Sequence, residues 1–97
     1  MNYREVTDEQ LTFLKLKYNW NDAETRIALA LEGIALNILI DDPDAKVRLS
    51  VGSQEYGLDR LEIDPDKFVR QGAKELRKRF MYRKAKELVD DMFNMGG

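Results

Sequence analysis

Arg26, Arg48 and Arg70 fall 22 residues apart, and each follows an aspartate by four residues: Asp22, Asp44 or Asp66. On a helix, an i, i+4 spacing places both side chains on one face. A guanidinium so placed can offer its fork of donors to an anion or a peptide carboxylate. It can instead bond an aspartate of its own or a neighbouring unit and tether adjacent helices. The tethering role is the better fit, because the arginines run in register beside the apolar positions Val47 and Val69. Asp44, Arg48, Asp66 and Arg70 are therefore expected to be structural.

A second candidate lies further along. Residues 67–86 carry nine basic side chains and one acid, Glu75, whereas residues 1–66 carry seven basic and 14 acidic groups. Lys74, Arg77, Lys78, Arg79, Arg83, Lys84 and Lys86, with Tyr82 between them, form the candidate interaction surface. Such a run can meet phosphates or an acidic protein surface. The plain alternative is a solvated helix face that balances the acidic remainder of the chain. A net charge of −2 favours a protein partner over nucleic acid, because the acids outside this run would repel a phosphate backbone.

Met81, Leu88, Val89, Met92 and Phe93 are the third group. They continue an apolar seam beyond what so few units can cover, so they are candidates for self-association as a homodimer.

Enzyme chemistry is not expected, and neither a metal nor a cofactor is. The chain has no histidine and no cysteine, which removes the commonest general base and the softer metal ligands together. Ser50 and Ser53 therefore have no histidine to activate them. The acids Asp41, Asp42, Asp64, Asp90 and Asp91 are accounted for as helix caps or a polar helix end. Asp42, Asp44 and Asp59 lack the glycine and the terminal glutamate of a calcium loop.

The elements that must carry these residues repeat as well. DDPDAKVRLSVG at 41–52 returns as IDPDKFVRQGAK at 63–74, and a fainter copy occupies 21–30. A small-residue column, Ala28, Ser50 and Gly72, runs beside the arginines and reads as close helix packing. Periods of this size belong to stacked units that bury a common core. In the clearest unit, Asp42 is expected to cap a helix with Pro43 at its first position. Gly57 then supplies a left-handed turn, Leu58 and Leu61 lie on a short second helix, and Ile63 closes the unit.

Asp-Pro-Asp-x-x-Val-Arg, followed by Tyr56-Gly57-Leu58-Asp59-Arg60-Leu61, resembles short bacterial HEAT-like repeats and the leucine-rich-repeat variant. That resemblance covers about residues 20–83. It implies a right-handed stack serving as a protein-binding surface.

The expected fold is all-α, a single domain over 1–97: a small helical-repeat solenoid of about three HEAT-like units. An N-terminal cap helix spans about 7–18, with Thr7 and Gln10 as capping box and Val6 and Leu11 as hydrophobic staple. Asn19 or Asn21 can cap the next helix. The units span about 20–41, 42–63 and 64–85, and a C-terminal helix runs to about 94, with 95–97 frayed. Arg79 stands where Gly57 stood, so the stop is missing and a long last helix is favoured, either continuous or broken near 80–83. Residues 1–10 lack the order of a signal peptide, and the longest apolar stretch, at 27–40, is too short to span a bilayer. The functional expectation is a cytoplasmic, non-enzymatic protein-binding module of the adaptor or inhibitor type; the runner-up is a nucleic-acid-associated protein.

Overall fold

The repeated aspartates start the helices, and they do so at a constant interval. In the structure, a computed structural model describing residues 3–94, six helices follow one another: α1 (Asp8–Lys17), α2 (Ala23–Leu31), α3 (Leu36–Leu39), α4 (Ala45–Gly52), α5 (Leu58–Leu61) and α6 (Lys67–Asn94). No strand occurs among the described residues. α2, α4 and α6 begin 22 residues apart, as do α3 and α5. The expected fraying of 95–97 lies outside the described residues.

Each long helix of the first two units ends in a doubled left-handed turn. Gly33 and Ala35 adopt φ of 78° and 56°, and Glu55 and Gly57, one period later, adopt 58° and 64°. The second left-handed residue of each turn starts the short helix that folds back beside its partner. Ala35 takes this conformation without the freedom of a glycine. The N-terminal segment holds it there: the Ala35 and Leu36 N–H groups donate to the Tyr3 and Arg4 carbonyls at 2.7 and 2.6 Å. Asn37 clamps the same segment, accepting from the Val6 N–H at 2.9 Å and donating to the Val6 carbonyl at 3.0 Å.

α2 packs on α4 and α4 on α6, with α3 and α5 alongside. Leu36, Leu39, Val47, Val51, Leu61 and Val69 are fully buried between them. The Thr7–Gln10 capping box forms, and Val6 and Leu11 both pack into the core. α1 buries only Leu14; Phe13 and Leu16 stay exposed. Within the small-residue column, Gly72 packs closely: an added Cβ there would press into the Leu49 side chain. Ala28, in the same column, is exposed.

Three local expectations are corrected. Asp44, not Asp42, is the N-cap of α4, accepting from the Lys46 N–H at 2.8 Å, and Pro43 lies before the helix. Asp22, not Asn19 or Asn21, occupies the cap position of α2. Ile63 does not close its unit but is exposed. The first correction has a clear cause: Asp42 is buried and engaged elsewhere, so the next carboxylate along captures the helix amides.

α6 is continuous through 80–83. Its Val69, Ala73, Leu76, Phe80 stripe faces the body, with Val69 and Ala73 buried and the other two partly so. From Met81 onward every described residue is exposed. The projecting helix raises the radius of gyration to 16.1 Å, against about 12–13 Å for a compact chain of this length. No helix among the described residues is long and apolar enough to cross a membrane.

Candidate docking face along the last helix

Asp44 and Arg48 share a helix face but form no ion pair, and the same holds for Asp22–Arg26 and Asp66–Arg70. Each of the first two arginines reaches forward 16 residues instead. Arg26 donates from Nε and Nη2 to the two carboxylate oxygens of Asp42, at 2.7 and 3.3 Å. Arg48 does the same to Asp64, at 2.8 and 3.0 Å. The remaining Nη1 turns back onto the loop before its own helix. It donates to the Trp20 carbonyl from Arg26, and to the Asp42 and Pro43 carbonyls from Arg48. Each guanidinium thus ties its own loop to the loop of the next unit.

The Arg48–Asp64 rung is well shielded, with side chains 15% and 6% exposed. Its carboxylate also accepts the Asp66 N–H at 2.9 Å. The bond from Arg48 holds the Asp64 carboxyl below its ordinary 3.8, against the opposing effect of burial. The bond to Asp64 likewise raises the guanidinium above its ordinary value. Bidentate, charge-assisted geometry of this kind is the strong form of the interaction.

Arg70 begins a third rung and does not complete it. Its Nη1 donates to the Asp64 and Pro65 carbonyls at 2.7 and 3.0 Å, as Arg48 does one unit earlier. Sixteen residues on, where Asp42 and Asp64 served the earlier arginines, stands Lys86. Among the described residues no carboxylate pairs with Arg70. Its fork is anchored at one nitrogen and open at the others.

The surface around that fork has changed character. Leu49, which packs on Gly72, is replaced one period later by the exposed Gln71, and buried Gly52 by the exposed Lys74. The face of α6 is thus polar where the corresponding face of α4 is apolar. At about 100° per residue, Arg70, Lys74 and Lys78 fall on one stripe of α6, and Met81, Ala85, Leu88 and Met92 prolong it.

The basic run divides between two tasks. Arg77 donates to Asp59 and, at 2.7 Å, to Glu62; Lys84 pairs with Glu55 at 2.9 Å. These bonds raise the Arg77 value, chiefly through Asp59, and lower that of Glu55, chiefly through Lys84. They balance acids of the body. Lys78 lies 3.5 Å from Glu75, and the Arg83 guanidinium sits 5.1 Å from the centre of the Phe80 ring. Lys74, Arg79, Tyr82 and Lys86 are exposed, and no ion pair joins those cations to a carboxylate among the described residues.

Met81, Leu88, Val89, Met92 and Phe93 are all exposed, Phe93 by 80%. No group of three or more metal-ligating side chains occurs among the described residues. The Ser50 and Ser53 hydroxyls donate to the Lys46 and Ser50 carbonyls, which ties both to helix backbone. The sequence reading missed the open state of Arg70; the signal was the order Asp, Asp, Lys at positions 42, 64 and 86.

Compared with known protein families, with curated proteins and with solved structures, the chain matches none.

Proposed function

We propose that the chain is a non-enzymatic protein-binding module of about three short HEAT-like units, and that it docks an acidic protein surface on the outer face of α6. What carries this reading is the open fork of Arg70. Arg26 and Arg48 each spend the same donors on an aspartate of the following unit. A partner that presents a carboxylate at that place would complete the third rung with a fork already held by two loop carbonyls. Pre-organised donors lose little freedom on binding, so more of the interaction appears as affinity. Lys74 and Lys78, one and two turns further along the same stripe, extend the match to an acidic surface. The 22-residue spacing of helix starts supports the repeat assignment.

Affinity capture from lysate with the wild-type chain and with Arg70→Ala/Lys74→Glu/Lys78→Glu tests the reading. The expected result is an acidic protein held by the wild type, weakened by salt and lost from the variant, with the helical signal retained. Retention of the wild type on DNA at moderate salt, with log affinity falling steeply against log salt, would favour nucleic acid instead. A partner captured equally by both chains would place the binding site elsewhere.

A further inference from the structure

We propose that a second copy of the chain covers the stripe Met81, Ala85, Leu88, Met92, with the two helices antiparallel. The spacing 4, 3, 4 is that of alternating seam positions in a coiled coil. The stripe lies about 120° around α6 from the Val69–Phe80 stripe, so a second helix would not compete with α4 or α5. The body of each chain lies toward the N-terminal end of α6. Antiparallel pairing therefore sets the two bodies at opposite ends of the joint.

Charge decides the occupant and its direction. Residues 77–86 are basic, and Glu87, Asp90 and Asp91 come directly after them. A parallel copy would lay basic beside basic and acidic beside acidic. An antiparallel copy reverses this, and one register satisfies every flanking position. With Ala85 facing Leu88 of the second copy, a small side chain receives a large one, and Met81 faces Met92 of the second copy. Lys84, whose ammonium pairs with Glu55 of its own chain at 2.9 Å, has further N–H donors and meets Asp91 of the second copy on one flank. On the other, Tyr82 meets Val89 of the second copy. Each contact occurs twice by symmetry. Such mutual fit is what an isologous interface requires. None of Arg70, Lys74 and Lys78 is used, so the fate of this pairing is independent of partner capture on the open rung.

Sedimentation equilibrium of the full chain across a concentration series tests the pairing. With little more than three helical turns in the joint, dimer should appear in the range of tens to hundreds of micromolar. Leu88→Glu should give monomer at every concentration. Lys84→Glu should weaken the dimer by about fivefold or more, and adding Asp91→Lys should restore it. The chain has no cysteine, so introduced thiols report alone. Under mild oxidation, Met81→Cys/Met92→Cys should give a covalent dimer and either single variant should not, because like residues lie about 16 Å apart along the antiparallel axis. A wild type that stays monomeric to about 500 µM overturns the pairing and leaves the stripe to a different helix. Cross-linking by Met81→Cys alone overturns the antiparallel direction, and a dimer that survives Leu88→Glu overturns the seam.

Discussion

Arg48 and Arg70 sit one repeat apart and fold Nη1 onto equivalent loop carbonyls, yet the rest of each guanidinium meets a different environment. Arg48 is closed by Asp64, while no carboxylate among the described residues closes Arg70, and the residue 16 positions on is Lys86. The units around them diverge at the same point. Gly57 turns the unit around Arg48 back on itself; Arg79 lets α6 run on into solvent. One local motif therefore serves as a completed clamp in one unit and as a half-completed one in the next. The difference lies in the residues C-terminal to the motif, not in the motif itself.

Arg48→Ala should cost about 3 kcal/mol, because it leaves the Asp64 carboxylate shielded and unpaired. Arg70→Ala should cost about 1 kcal/mol or less, because only bonds to carbonyls are lost. Equal urea midpoints for the two variants would show that the closed rung contributes no more than the open one.

The turn offers the next contrast. Gly57→Ala places a Cβ at positive φ against the Ile40 side chain, and should destabilise by about 2 kcal/mol. Arg79→Gly should cost about 1 kcal/mol as an ordinary glycine in a helix. It should also lower the helical ellipticity, as 81–94 loosens from the rest of α6. An unchanged circular dichroism spectrum would mean that one glycine does not restore the stop.

Acid probes the closed rung directly. The Asp64 value is lower folded than unfolded, so its contribution is present above its ordinary 3.8 and is lost as pH falls through the folded value. Chemical denaturation of the wild type should therefore show stability falling below about pH 4, and Asp64→Asn should flatten that part of the profile. A variant profile as steep as the wild type's would assign the loss to other carboxylates. The smallest effect belongs to the outer stripe: Lys78→Ala should shift the melting free energy by less than about 0.5 kcal/mol, as exposed pairs generally do.

Local devices were legible, and long-range ones were not. The Thr7–Gln10 box could be read because its partners are three residues apart. Gly57 and the missing stop at Arg79 could be read because backbone freedom belongs to the residue itself. Ala35 could not, since an alanine turns left-handed only under the bonds of the N-terminal segment. The i, i+4 spacing of Asp44 and Arg48 pointed to the wrong carboxylate for the same kind of reason. The arginine's true acceptor lies on another loop, and only stacking brings it within reach.

The period, the helical class and the missing stop at Arg79 are legible in the sequence, because all three arise from short-range pattern and propensity. Tertiary structure decided which aspartate each arginine takes, which aspartate starts each helix, and that the Met81–Met92 stripe stays exposed. Those outcomes depend on the distance and shielding of groups far apart in the chain, and a shielded carboxylate takes the nearest fork of donors wherever the fold has put it.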